Sequence, residues 1–129
     1  MEDKFIEIFT GLKRDYGYAD INSAFKDSAT GKLKLKYGWA AKELLESDYL
    51  DHLTGKKSIG IQPCNDEGLA KFGAIDIDSD EYDNFDLRKY LEIIDKKNIP
   101  VVPVKSKSGG LHIYVFFKEP VKASFVETF

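Results

Sequence analysis

An α+β fold, with N-terminal helices packed on a mixed sheet, is what the residue pattern predicts. Up to about residue 56, apolar side chains return mostly at helical spacing. From residue 57, short apolar runs separated by turn residues take over, and one helix-length segment lies between two of those runs. The 129 residues, 43% of them hydrophobic, suffice for a single domain with a small core. It divides into a mainly helical part, 1–56, and a sheet part, 57–129, that carries two chemical motifs.

From Lys4 to about Tyr16, Phe5, Ile6, Ile8, Phe9 and Leu12 share one helical face, with Lys13 and Arg14 in the last turn and Gly17 after it. Between residues 18 and 38 Gly31 and polar residues interrupt any helical stripe, and the alternation of Leu33, Leu35 and Tyr37 with Lys32, Lys34 and Lys36 suits a short half-buried strand whose lysines face water. Trp39, a core residue or the wall of a substrate cleft, opens a second helix over 40–52 that carries Leu44, Leu45, Tyr49 and Leu50 and breaks at Thr54-Gly55.

Residues 58–62 and 71–78 read as strands joined by turn chemistry at 63–68. A helix follows over 82–98, its apolar face formed by Phe85, Leu87, Tyr90, Leu91, Ile93 and Ile94. Asn84 or Asp86 caps its start, and Asn98 and Pro100 stop it. Val101 to Lys105 then completes a βαβ unit, and Leu111 to Phe117 returns as the second strand of a hairpin.

The net charge of −3 excludes the strongly basic balance that by itself announces a nucleic-acid binder, although a local basic stripe can still hold a polyanion. One cysteine, Cys64, cannot close an internal disulfide, and a lone thiol is far more often packing than nucleophile. The start of the chain lacks the layout of a signal peptide and no run is long enough to span a bilayer, so a cytoplasmic protein with no membrane partner is expected.

Chemistry concentrates in two places. In a strand, side chains at i and i+2 share a face roughly 7 Å apart. Asp76 and Asp78 should therefore project together while Ile75 and Ile77 turn to the core. Two carboxylates fixed side by side repel unless cations compensate them, and hard oxygen ligands suit Mg2+ or Mn2+ bound together with phosphates. A bland reading stands beside this one: Asp78, Asp80, Glu81 and Asp83 form a polar connection of which Asp76 is the ragged beginning. Asp76, Asp78 and Asp80 also match the opening of a calcium loop, but its sixth and twelfth positions are Glu81 and Leu87 where glycine and glutamate are needed.

The second place is Lys105 to His112, in which Lys105, Lys107, Ser108 and the flexible Gly109-Gly110 pair precede a strand and could admit an anionic group close to backbone N–H donors. Taken singly, this is equally an ordinary Ser-Gly-Gly turn beside solvated lysines. His112 is by default a structural histidine. Alternation sets His112, Tyr114 and Phe116 on one face and Leu111, Ile113, Val115 and Phe117 on the other. The βαβ crossover and the hairpin would bring both segments to one sheet.

The run Phe72-Gly-Ala-Ile-Asp-Ile-Asp78 followed, after one helix and one strand, by Ser106-Lys-Ser-Gly-Gly-Leu-His-Ile-Tyr-Val-Phe-Phe117 resembles the archaeo-eukaryotic primase superfamily, especially the primase-polymerase domains of mobile elements, phages and conflict systems. His52 to Pro63 is similar to the stretch that leads into the acidic motif there, and Trp39 stands where a tryptophan often does. The resemblance implies an incomplete RRM-like (βαββ) core. It also implies catalysis by Asp76, Asp78 and His112: Asp76 and Asp78 as ligands of Mg2+ or Mn2+, and Ser108 and His112 on the triphosphate of an incoming nucleotide. Lys105, Lys107, Gly109 and Gly110 complete the nucleotide site. The implied reaction is in-line attack of a 3′-hydroxyl on the α-phosphorus during DNA primer synthesis or extension.

Nucleoside triphosphates, a single-stranded DNA template, and a helicase or further C-terminal domains of a longer chain are the implied partners, and a host cell's cytoplasm the implied location. The superfamily normally adds a third acidic motif from a strand beyond the histidine strand. Here only Glu119 and Glu127 lie downstream, so the resemblance implies truncation before that motif, in keeping with the apolar Val121, Phe125, Val126 and Phe129.

The principal alternative is a noncatalytic RRM-like module that binds nucleotides or single strands by stacking on Tyr114 and Phe116. A glycosyl transfer domain would use Asp-x-Asp for a sugar nucleotide but lacks a visible acceptor domain. A replication-initiator nuclease would need a second histidine where the sequence has His112-Ile-Tyr114.

Overall fold

The computed structural model describes residues 2–31, 33–78, 86–106 and 109–128. The chain adopts the expected α+β class. Its strands fall into two antiparallel three-stranded sheets, however, where the sequence reading had a single mixed one. The backbone groups into two compact units, Met1–Lys71 with Val121–Phe129, and Phe72–Pro120.

The first unit opens with α1 (Glu2–Ile8), β1 (Tyr16–Lys26), β2 (Leu33–Ala40), α2 (Glu46–Leu53) and β3 (Ser58–Gly60), and its sheet runs β2-β1-β3. The N-terminal stretch read as mainly helical thus carries a long hairpin. The first helix stops at Ile8 because the chain after Phe9 bonds elsewhere: the Leu12 N–H donates to the Gln62 carbonyl at 2.9 Å, and a Cβ at Gly11 would collide with that same oxygen. Leu12 is then buried as an anchor.

Trp39 and Ala40 belong to β2, opposite Gly17 and Tyr16, so the second helix begins six residues later than its apolar pattern suggested. The hairpin turns at Asp27. Its carboxylate accepts from the Ala29 and Thr30 N–H groups and pairs with Lys34 at 2.6 Å, which lowers its pKa to about 2 with the Lys34 contact as the leading cause.

Tyr16, Leu44 and Tyr49 form the buried centre of this unit, with Phe5, Ile6, Phe9, Ala40, Ile59 and Ile61 packed round them. One buried carboxylate threads this core. Asp48 accepts from the Leu45 N–H at 3.0 Å, which ties down the start of α2, and from the Tyr16 hydroxyl at 3.1 Å. It also pairs with the Lys57 ammonium, so no lone charge is left in the apolar interior.

The remaining elements are β4 (Leu69–Ile77), α3 (Leu87–Lys96), β5 (Val102–Lys105), β6 (Leu111–Lys122) and α4 (Ala123–Glu127). Asp86 caps α3 by accepting from the Lys89 N–H at 3.2 Å, and Asn98, at φ 49°, leads the chain out of it. The sheet order is β4-β6-β5. β5 therefore does not lie beside β4 as the crossover suggested, because β6 occupies the centre. The reason is burial: β6 is half-buried along most of Leu111–Phe117 and needs cover on both faces, while the short β5 leaves Val102 and Val104 exposed at an edge. β4 and β5 both run antiparallel to β6, which makes the unit a split βαβ.

Candidate metal and nucleotide site

β4 is an edge strand of its sheet, and its alternation sends Phe72 and Asp76 to one face. On β6 the same face carries His112, Tyr114 and Phe116. The Phe72 and Phe116 rings lie 6.3 Å apart, Tyr114 stacks on Phe116 at 6.0 Å, and His112 meets Tyr114 edge-on at 6.4 Å. This aromatic ladder fixes the lateral register of the two strands.

At the open end of the ladder the acid and the histidine meet. His112 Nε2 lies 3.2 Å from Asp76 Oδ1, although 36 positions separate them in the chain. The Asp76 side chain is 65% exposed and that of His112 is 39% exposed, so both present polar atoms to solvent rather than to a core. His112 thus makes a polar contact with the carboxylate singled out in the sequence. Asp78 follows directly after β4 and is half-buried. Ile75 departs from expectation: on this edge strand it is 58% exposed rather than turned into a core.

The loop before β6 is held by its own backbone. The Ser106 N–H donates to the Gly110 carbonyl at 2.9 Å, the Gly109 N–H donates to the Ser106 carbonyl at 3.2 Å, and Ser106 itself is buried. Gly109 takes φ 95°, a conformation that favours glycine. Gly110 answers a different need, since a Cβ there would collide with the Ile77 carbonyl oxygen and lie 3.2 Å from the Asp78 Cα. Only glycine lets the loop approach the end of the carboxylate strand so closely. Sequence reading named both glycines as flexible, but nothing in it separated the buried Ser106 from Ser108.

The other expected residues divide. Lys107 and Ser108 lie outside the described residues. Lys105 pairs with Leu111, and Val104 with His112, so Lys105 belongs to the Leu111 face of the sheet and not to the His112 face.

A divalent ion fits the donors that remain. Among the described residues no group of three His, Cys, Asp or Glu side chains is set to hold a metal by itself. Asp76 and Asp78 supply two carboxylates, and Mg2+ characteristically takes one or two from the protein while water and substrate phosphates complete its shell.

Gly110→Ala is expected to cost about 2–3 kcal/mol, because backbone rather than a movable side chain fills the space. Gly109→Ala, strained only in φ, should cost about 1 kcal/mol. Urea unfolding of both variants checks the order, and an equal loss would remove the close approach from the description of the site.

No curated protein matches the chain. One family model does, over residues 5–129, described as TOTE conflict system, Archaeo-Eukaryotic Primase domain.

Proposed function

Because the chain belongs to the archaeo-eukaryotic primase domain family of TOTE conflict systems, we propose that it is a primase-like nucleotidyltransferase domain whose nucleotide site is built on Asp76, Asp78 and His112. The supporting observation is the 3.2 Å contact between Asp76 and His112 at the exposed end of the β4-β6 face. Family membership supports nucleotide chemistry in general, and this contact supports these particular residues.

Asp76 and Asp78 would hold Mg2+ or Mn2+, which when bound supplies charge neutralisation for the departing pyrophosphate and activation of the attacking 3′-hydroxyl. His112 stands one side chain away, its Nε2 facing Asp76 Oδ1 here, and once Asp76 turned to the ion that nitrogen would be left to meet a phosphate oxygen. The loop closed by Ser106 and Gly110 brings Gly110 against the end of the carboxylate strand, and in this reading Lys107, Ser108 and Gly109, which follow Ser106 in the sequence, would supply the ammonium, hydroxyl and backbone donors for the anion. Lys105, on the opposite face, adds only long-range positive charge. The protein's share of the chemistry is positioning and charge compensation. A single-stranded DNA template and primer synthesis or extension belong to the same proposal.

Calorimetric titration of a nucleoside triphosphate with Mn2+ tests it. Saturable binding that requires the ion, and that weakens at least tenfold in His112→Ala, is the expected result on the scale of a charge-assisted hydrogen bond. Binding that ignores both the ion and His112 would refute the assignment.

A further inference from the structure

The face that carries Asp76 and His112 continues past them along the strands, and its next step differs in chemistry. Three contacts fix the register of β4 against β6: Gly110 lies against Asp78, His112 meets Asp76, and Phe116 meets Phe72. Each step forward along β6 is matched by an equal step back along β4, as an antiparallel pair requires, so Ala74 stands opposite Tyr114. On the other flank of β6, β5 places Val104 beside His112 and Val102 beside Tyr114. The face is therefore built of rows. Asp76, His112 and Val104 make one, and Ala74, Tyr114 and Val102 make the next, roughly 7 Å further along the strands.

The two rows divide as a nucleotide does. The first holds the carboxylate and the imidazole, and the loop that ends at Gly110 lies on its far side. The second carries no charged group. Ala74 is exposed although Phe72 and Gly73, the two residues before it, are buried, and Val102 is 49% exposed. Beyond this row the face closes, since Phe72 is only 4% exposed and its ring lies against that of Phe116.

Size marks the place more narrowly. Ala74 is the small residue between Asp76 and Phe72 on one face of β4, with the Tyr114 ring across from it. An exposed strand position ordinarily favours a β-branched side chain, which would fill that gap. Alanine leaves it as a floor one residue long, uncharged and next to the row that would hold phosphates and ion.

We propose that the Ala74–Tyr114–Val102 row is the nucleoside subsite, with the sugar seated over Ala74 beside the Tyr114 ring and the triphosphate directed over the Asp76–His112 row toward Gly110. This rests on the nucleotide site proposed above and adds the direction in which the nucleotide lies and the residue that limits its fit.

The test compares two ligands that share the phosphates and differ in the nucleoside. Inorganic triphosphate and a nucleoside triphosphate, each with Mn2+, are titrated calorimetrically into the full chain and into Ala74→Val. Valine adds bulk where the sugar would lie and suits a strand, so the variant should fold, which circular dichroism and melting temperature check. The parent chain is expected to bind both ligands. Ala74→Val should bind the nucleoside triphosphate roughly tenfold more weakly, the scale of overfilling a fitted space, and inorganic triphosphate as the parent does.

If neither ligand binds the parent chain, the nucleotide site falls and the subsite with it. If the parent binds and Ala74→Val matches it for the nucleoside triphosphate, the subsite alone is overturned. An equal loss for both ligands overturns it too, because the valine would then act on Asp76 and the ion rather than on the nucleoside.

Discussion

Asp76→Asn is expected to lower Mn2+-dependent nucleotide binding, and any nucleotidyl transfer that accompanies it, by roughly a thousandfold, the several kcal/mol that one ligand contributes to a hard cation's charge stabilisation. Asparagine keeps the shape of the side chain and one oxygen but removes the charge that both a divalent cation and the His112 ring interact with. Asp76 is largely exposed, so thermal stability should move by no more than about 0.5 kcal/mol. The decisive comparison is calorimetric affinity against melting temperature in the same preparation. Undiminished affinity in Asp76→Asn would remove the residue from the site, and a large drop in melting temperature would reassign it to the scaffold.

Asp48→Ala should instead act on the fold, costing about 3 kcal/mol and lowering the melting temperature by roughly 10 °C. Removing Asp48 strips the Lys57 ammonium of its counter-charge, the Tyr16 hydroxyl of its acceptor and the Leu45 N–H of its cap. Exchanging both members of the pair for apolar residues, Asp48→Leu with Lys57→Met, should cost less than the single change, because no charge is then stranded.

The pair also sets a pH window. Burial pushes the Asp48 carboxyl up, but the Lys57 contact, the Leu45 N–H and the Tyr16 hydroxyl outweigh it and hold the carboxyl below its ordinary 3.8. Its contribution is therefore fully present above about pH 4 and fades as pH falls through the lower folded value. Lys57 is raised above 10.5, chiefly by its hydrogen bond to Asp48, so its share is complete below that pH and fades in stronger alkali. Unfolding by urea at pH 7 and pH 3 checks the acid limb. Asp48→Ala should show a shallower loss between them, and an unchanged acid slope would mean that other carboxylates govern it.

Much of the candidate site was legible in the chain because strand alternation is a strict rule. Asp76 and His112 were each placed on a face by counting, and both counts hold at a 3.2 Å contact. Sheet order was less legible, since connectivity alone favours β5 next to β4 and only relative burial puts β6 between them. Of the N-terminal hairpin, the β2 strand shows in the Leu33, Leu35 and Tyr37 alternation, but β1 does not, for the opposite reason. β1 is exposed along most of its length, so the hydrophobic alternation that signals a strand is faint. The first helix was overextended because nothing in its own apolar spacing announces that Gln62, far along the chain, captures the Leu12 N–H.

The division of the chain into units bears on the order in which it folds as it leaves the ribosome. Every residue of the first unit's hydrophobic core, from Phe5 to Ile61, has been synthesised before the carboxylate strand is complete. That core can collapse early, as N-terminal units generally do during translation. The bond from the Ala123 N–H to the Gly68 carbonyl must wait until the whole second unit has emerged. The acids wait as well: Asp76 has no His112 beside it until β6 is made, so the site assembles late, on a nascent chain whose first core already has its full complement of residues.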